Sequence, residues 1–139
     1  MHLLKTYIVE DSQLIRESLT ATLEELGSVK VVGVAADQST AIAWLNKPGG
    51  RVDLVIVDIF LQGGSGLGVL RAIAEQVAPP AVIVLSNFAT VDMRRTCMDL
   101  GAVQVFDKSH DIEALLAYCN ALQTQNLGTA DLLDLTHCH

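Results

Sequence analysis

Short runs of β-branched and apolar residues alternate with segments of helical periodicity five times along this chain of 139 residues. The third and fourth runs are apolar on both faces, so helices must cover both sides of the sheet that they form. This alternation predicts an α/β fold, a doubly wound (βα)5 domain with a five-stranded parallel sheet. For a small protein of this class we expect the flavodoxin-like strand order 2-1-3-4-5. The predicted strands are Lys5–Glu10, Val29–Val34, Asp53–Asp58, Ala81–Ser86 and Val103–Asp107.

Apolar residues recur at helical spacing in the segments that follow these strands. Gly27 is placed to end the first helix, and Gly101 to end the fourth, which we expect at about Thr90–Leu100. Beyond about Thr124 the periodicity fades. The predicted inward-facing stripes of the first, third and fifth helices are Ile15, Leu19, Leu23 and Leu26; Leu67, Leu70, Ile73 and Val77; and Ile112, Leu115, Leu116, Cys119 and Leu122.

The composition excludes several classes of protein. The net charge is −7, and the 9 lysines and arginines are scattered, so we expect no direct contact of this domain with nucleic acid. No apolar run reaches the roughly 18–20 residues needed to span a bilayer, and the start MHLLKTYIVED is unlike a signal peptide. The 3 cysteines lack CxxC spacing, which disfavours a disulfide framework or a zinc site. We therefore expect reduced thiols, no membrane contact and a cytoplasmic location.

Polar side chains stand where four of the five predicted strands end. They are Glu10 and Asp11 at the end of the first strand, Asp58 at the end of the third, Ser86 at the end of the fourth and Lys108 directly after the fifth. Ligands of open α/β sheets bind at the carboxyl ends of the strands, next to the point where the strand order reverses. Neighbouring strands lie about 4.8 Å apart, so in the order 2-1-3-4-5 these residues form one site.

The three carboxylates of this predicted site require a cation. Two such charges about 4 Å apart repel by about 4 kcal/mol at an effective dielectric constant of about 20. Glu10, Asp11 and Asp58 can all stay ionised if Mg²⁺ lies among them, with Mn²⁺ as the alternative. An aspartate can accept a phosphoryl group, and Lys108 and Ser86 can hold the phosphoryl oxygens. These residues therefore suit the formation and breakdown of an acyl phosphate.

Taken together and in this order, the motifs resemble those of the receiver domains of two-component response regulators, over about residues 4–123. The resemblance implies that Asp58, in VIVDIFL, is the phosphoacceptor. It implies that Asp11 binds Mg²⁺ directly and that Glu10 acts through water. Asp58 and the backbone carbonyl of Phe60 would complete the protein ligands of the metal.

The same resemblance assigns the groups that hold the phosphoryl group. They would be Ser86 in VIVLSN, the backbone of Asn87, and Lys108 in VFDKS. The glycine that ends the loop after the acceptor is matched by Gly66, and Gly101-Ala102 before the fifth strand is also typical of the family.

Three positions depart from the family pattern. Gln62 and Ser109 stand where the family often has proline. Val105 stands at the switch position, where the family has an aromatic residue. Phe106 is next to it, but side chains alternate along a strand, so we expect Phe106 to face the other side. The usual coupling of Ser86 to an aromatic side chain is therefore in doubt.

What the resemblance implies is a signalling switch and not an enzyme, with only self-phosphorylation and slow self-dephosphorylation expected. Residues 1–124 would form the receiver domain, and residues 125–139 a tail or the start of a linker, in which His137-Cys138-His139 is expected to be inert.

The phosphodonor would be a sensor histidine kinase or a phosphotransfer protein. The output would be control of transcription through a further domain. The alternatives are a stand-alone receiver and a phosphorylation-independent docking module. A homodimer could form through the fourth helix, fifth strand and fifth helix.

Two other classes of protein share parts of this pattern. A phosphatase with an aspartyl-phosphate intermediate usually carries a second aspartate two residues after the nucleophile, and Phe60 stands there. A flavin binder of the flavodoxin type should have a first loop rich in Ser, Thr and Gly, whereas the sequence here is the acidic EDSQL. Both are weaker interpretations than the receiver domain.

Overall fold

The computed structural model describes residues 3–26, 28–48, 51–87, 89–108 and 110–124. The five strands are β1 Leu4–Val9, β2 Val29–Ala35, β3 Leu54–Val57, β4 Ala81–Ser86 and β5 Gln104–Asp107. The helices are α1 Gln13–Leu26, α2 Gln38–Leu45, α3 Gly66–Ala74, α4 Val91–Asp99 and α5, residues 112–124. No helix in these ranges is both long and apolar enough to cross a bilayer.

All strand pairs are parallel, and the sheet order is β2-β1-β3-β4-β5, which confirms the predicted topology. The chain moves outward from β1 in both directions, so the order reverses between β1 and β3. The pairing places Val9 opposite Val57 and Val57 opposite Val84, and β4 runs two residues further to Ser86, which lies opposite Asp107 at the end of β5. Because all strands are parallel, the residues at their carboxyl ends lie at one edge of the sheet.

Two hydrophobic layers cover the sheet, and alternate strand residues belong to opposite layers. Val105 lies in the layer with Ala102 and Cys97, whereas Phe106 lies in the other, where its ring meets the Tyr118 ring edge-on at 6.2 Å. Phe106 therefore does face away from Val105, as the alternation predicts. All four residues of β3 are buried, because each side of this central strand is covered.

Some predicted details differ from the structure. Val77 was expected in the stripe of α3, but this helix ends at Ala74 and Val77 is fully exposed. The backbone N–H of Gln76 donates to the carbonyl of Ile73 at 3.0 Å, three residues back instead of four, so the helical hydrogen-bond pattern stops before Val77. Leu26, expected to face inward, is also exposed at the end of α1. The predicted roles of Gly27, Ser109 and the tail at 125–139, with His137, Cys138 and His139, fall outside the described residues.

A close contact between β1, β2 and α2 depends on Gly33. The rings of Tyr7 and Trp44 stack with their centroids 4.1 Å apart, and Tyr7 is completely buried. A Cβ atom on Gly33 would lie 2.8 Å from Cε1 of Tyr7 and 3.1 Å from Cε2 of Trp44. Only glycine leaves room for this ring pair beside β2.

We predict that Gly33→Ala destabilises the fold by about 1–3 kcal/mol, because the added methyl group overpacks the stacked rings. Urea unfolding followed by the fluorescence of Trp44, the only tryptophan, measures this change. Lys30→Ala, at an exposed position of the same strand, is the control and should change stability by less than about 0.5 kcal/mol. Equal stabilities of Gly33→Ala and the wild type would contradict the packing argument.

Candidate functional site

A small cavity opens at the carboxyl ends of the central strands. Its volume is about 190 Å³, and it is lined by Glu10, Asp11, Ser12, Ile15, Asp58, Phe60, Asn87 and Lys108. The structure thus brings together residues from the ends of β1 and β3 and from the segments after β4 and β5. Ser86 is completely buried at the end of β4, directly before Asn87.

Lys108 is the central cation of this cavity. Its Nζ donates to Oδ2 of Asp58 at 2.9 Å and also to Oε1 of Glu10. The backbone N–H of Lys108 donates to the carbonyl of Ser86 at 3.1 Å, which holds the chain after β5 against the end of β4. The pKa of Lys108 is raised: burial lowers it, but the hydrogen bonds to Asp58 and Glu10 outweigh burial.

Glu10 is almost completely buried behind the cavity. Oε2 of its carboxylate accepts from the backbone N–H of Ser12 at 3.0 Å, and its backbone carbonyl accepts from Nη1 of Arg16 at 2.7 Å. Burial raises the pKa of Glu10, because loss of water outweighs the hydrogen bonds from Lys108 and Ser12. The pKa of Glu10 is thus raised mainly by burial, and that of Lys108 by its two carboxylate partners.

Asp58 follows β3 and is held at both carboxylate oxygens. Oδ2 accepts from Lys108, and Oδ1 accepts from the backbone N–H of Phe60 at 3.2 Å. Its own backbone N–H donates to the carbonyl of Val9 at 2.9 Å, which continues the β1–β3 pairing by one residue. Asp58 is 6% exposed, and it lines the cavity with both carboxylate oxygens held by hydrogen bonds.

The acidic residues here can hold a metal ion. Glu10, Asp11 and Asp58 each offer an oxygen atom within 4.8 Å of the others. One ammonium group, that of Lys108, serves the two buried carboxylates, and Asp11 adds a third negative charge at the surface of the cavity. Hard oxygen donors with an excess of negative charge fit Mg²⁺.

Gly66 allows α3 to begin directly beside Asp58. A Cβ atom at this position would lie 2.7 Å from Cα of Ile59 and 2.9 Å from the carbonyl carbon of Asp58. The N–H of Gly66 also donates to the carbonyl of Ile59 at 3.0 Å. The sequence indicated Gly66 as typical of the family, and the structure supplies the steric reason.

Two arginines of this region were missed by the sequence analysis. Arg16 bonds the carbonyl of Glu10. Arg94 in α4 donates from Nη1 to the carbonyl of Val105 at 2.6 Å and from Nε to the carbonyl of Ala89 at 3.2 Å. Its Nη2 also lies 4.0 Å from Oδ2 of Asp111. Scattered single arginines carry no pattern in a sequence, so only the fold reveals these contacts.

The family model described as "Response regulator receiver domain" matches residues 6–120. The chain belongs to this family. The match covers the strands and the segments that carry the acidic cavity and Lys108. Receiver domains are regulatory, bind Mg²⁺ at an acidic pocket, and interact with histidine kinases or phosphotransfer proteins; the cluster of Glu10, Asp11 and Asp58 is the corresponding feature of this receiver domain.

Curated relatives of this receiver domain include enzymes and regulators. It is 31% identical over 108 residues to a protein-glutamate methylesterase/protein-glutamine glutaminase of Syntrophus aciditrophicus, covering 76% of this chain and 30% of that protein. It is 30% identical over 120 residues to the transcriptional regulatory protein FixJ of Azorhizobium caulinodans, covering 85% and 54%. The chain thus spans about a third to a half of the length of these relatives.

Solved structures show the same fold. A DNA-binding response regulator of the LuxR family from Staphylococcus aureus superposes with a TM-score of 0.77. The sequence identity is 21%, and the match covers 86% of this chain and 98% of that one. At this identity the comparison supports the receiver fold only.

We predict that Gly66→Ala disturbs the position of Asp58, because the methyl group can be accommodated only if the backbone of Asp58 and Ile59 moves. The expected loss of stability is about 1–3 kcal/mol, measured by urea unfolding, with shifted amide NMR signals at Asp58 and Phe60. For the comparison of stabilities, Gly68→Ala in the same helix is the matched control, because the nearest atoms to its methyl group belong to the flexible side chain of Gln38. Similar losses in both variants would show that the effect is not specific to Gly66.

Proposed function

We propose that this receiver domain is a phosphorylation switch that accepts a phosphoryl group on Asp58 in the presence of Mg²⁺. The observation that carries the proposal is the pair of contacts made by Lys108, which joins Asp58 and Glu10 in one cavity with Asp11 beside them. Asp11, Asp58, the Phe60 carbonyl and, through water, Glu10 would hold the metal, which neutralises the charge of the phosphoryl oxygens when bound.

The proposed reaction is transfer from a phosphohistidine of the donor. An oxygen of the Asp58 carboxylate forms a bond to phosphorus while the N–P bond of the donor breaks. The imidazole nitrogen keeps the electron pair of that bond and takes up a proton. Lys108, the hydroxyl of Ser86 and the backbone of Asn87 would bind the phosphoryl oxygens, and Lys108 can do so because it already lies 2.9 Å from Asp58.

Phosphorylation adds a charge of roughly −1.5 to −2 beside Lys108 and Ser86. New hydrogen bonds would favour one arrangement of the segment after β4 and of α4, as a shift of an existing equilibrium. Val105, at the position where an aromatic residue is usual, lies buried in the layer under α4, so in this chain the shift must proceed without an aromatic side chain at that position.

We further propose that the donor protein docks in a groove between α1 and α5. This groove has a volume of about 400 Å³ and reaches Asn87 and Lys108 at the acceptor site. Leu14 at its rim is 77% exposed, with Ile15 and Ile112 beside it. An apolar side chain so exposed and so near the acceptor suits contact with a helix of a histidine kinase or phosphotransfer protein.

The proposed output is control of transcription through a further domain, as the name of the FixJ relative suggests. A homodimer through α4, β5 and α5 is part of this proposal, because Val91 and Met98 lie two helical turns apart on one side of α4 and are exposed. The methylesterase relative shows that receivers of this kind also occur in enzymes, so a different output is the second candidate.

We predict that Asp58→Asn abolishes labelling by acetyl phosphate and Mg²⁺, because the amide cannot attack phosphorus. Intact-mass spectrometry detects the phosphorylated form. Asp53→Asn is the matched control: Asp53 lies just before β3, at the opposite end of the strand, and accepts from the backbone N–H of Lys5. The wild type and Asp53→Asn should both be labelled, and labelling of Asp58→Asn would contradict the assignment.

A second prediction concerns the donor groove. Leu14→Ala should slow transfer from a phosphorylated donor protein about tenfold, as loss of a central apolar contact does, but leave labelling by acetyl phosphate unchanged. The donor for this experiment is chosen from purified histidine kinases and phosphotransfer proteins as the one that phosphorylates the wild type fastest. Rapid-quench kinetics give the rate of phosphoryl transfer. Leu26→Ala, an exposed leucine at the far end of α1, is the control. Equal transfer rates for the two variants would exclude this groove.

A further inference from the structure

The loop between β3 and α3 is held from the side by the first residue of α2, Gln38. Oε1 of Gln38 accepts from the backbone N–H of Ser65 at 2.9 Å, and its backbone N–H donates to the carbonyl of Gly63 at 2.9 Å. Asp37, one residue earlier, forms a parallel bridge with Gly63. Gln38 and Ser65 are separated by 27 residues in the sequence, so these contacts join distant segments.

Two glycines make room for the Gln38 side chain. A Cβ atom on Gly64 would lie 2.6 Å from Cβ of Gln38, and one on Gly68 would lie 2.5 Å from its Cδ. Gly64 also has a positive φ of 94°, which other residues rarely adopt. The glutamine therefore occupies a notch that depends on the absence of side chains at both positions.

The contacts of Gln38 lead to the acceptor in three steps. Gln38 binds Ser65, Ser65 pairs with Phe60 in an antiparallel bridge, and the N–H of Phe60 donates to Oδ1 of Asp58 at 3.2 Å. Phe60 is also the residue whose carbonyl would bind the metal. A continuous chain of contacts therefore connects Gln38 with both groups.

The start of α2 does not need the Gln38 side chain. Asp37 caps this helix, because its Oδ1 accepts from the backbone N–H of Thr40 at 2.8 Å. The Gln38 amide is instead directed at the loop, and its oxygen accepts a backbone N–H of that loop. A role in helix capping therefore does not account for this residue.

We propose that Gln38 is a positioning residue for metal binding, which holds the loop of residues 60–65 so that Asp58 and the Phe60 carbonyl are ready to bind Mg²⁺. This inference rests on the proposed function, and it adds a residue of α2 that touches neither the metal ligands nor the phosphoryl group.

Gln38→Met and Gln38→Glu separate the hydrogen bond from the filling of the notch. Methionine has a similar size but offers no comparable acceptor, whereas glutamate keeps the oxygen. We expect Gln38→Met to raise the Kd for Mg²⁺ about fivefold, which corresponds to about 1 kcal/mol, and Gln38→Glu to stay near the wild type. Amide NMR shifts of Asp11, Phe60 and Ser65 during a Mg²⁺ titration measure the Kd without any phosphodonor.

Gly68→Ala tests the same contact without changing Gln38. Its methyl group should displace the glutamine amide and weaken Mg²⁺ binding, although alanine in place of glycine favours the helix. If Gln38 only stabilised the fold, the affinity for Mg²⁺ would change in the same direction as the stability. We expect instead that Gly68→Ala binds Mg²⁺ more weakly while its stability to urea is unchanged or increased. In the double variant Gln38→Met/Gly68→Ala the two effects should not add, because both remove one interaction.

Gln76→Ala is the matched control, because Nε2 of Gln76 bonds the carbonyl of Leu45 at the other end of α2, far from the loop. It should leave the Kd for Mg²⁺ unchanged. If the wild type binds Mg²⁺ and Gln38→Met binds it equally well, the role of Gln38 is wrong and the proposed function stands. If the wild type shows no Mg²⁺-dependent shifts, the proposed function itself fails, and the role of Gln38 with it.

Discussion

The shared ammonium group of Lys108 is the interaction on which the site depends. Two buried carboxylates, those of Glu10 and Asp58, would repel each other without it, and burial makes that repulsion stronger. One cation between two anions leaves the cavity short of positive charge. This excess of negative charge favours the binding of a metal ion. The hydrogen bond from Lys108 orients the Asp58 carboxylate before a metal ion binds.

The parallel sheet brings these charges together because the carboxyl ends of its strands lie at one edge. Residues that follow β1, β3, β4 and β5 converge although nearly a hundred residues separate Glu10 from Lys108. Close packing then refines the site: Gly66 lets α3 start against the backbone of Asp58, and Gln38 fills the notch beside Gly64. The sheet brings the groups close together, and the close contacts at the glycines then fix the positions of the backbone beside them.

Much of this arrangement could be predicted from the sequence, because it follows from local patterns. Runs such as LVIV and AVIVLS indicate buried strands, and polar residues after them indicate the edge where ligands bind. The roles of Gln38, Arg16 and Arg94 could not be predicted, since each depends on contacts between segments far apart in the chain. The inward position assigned to Val77 was wrong, because the helix closes in a turn at Glu75 and Gln76, and apolar spacing does not reveal where a helix ends.

Arg94 gives the site a mechanical property that no single strand provides. Its guanidinium binds carbonyls of Ala89 and Val105, which stand three residues after Ser86 and three residues before Lys108. The two segments that carry the side chains proposed to bind phosphate are therefore connected by one planar group on α4. A proposed rearrangement of either segment would therefore have to keep or break these two hydrogen bonds, which connects both segments with α4.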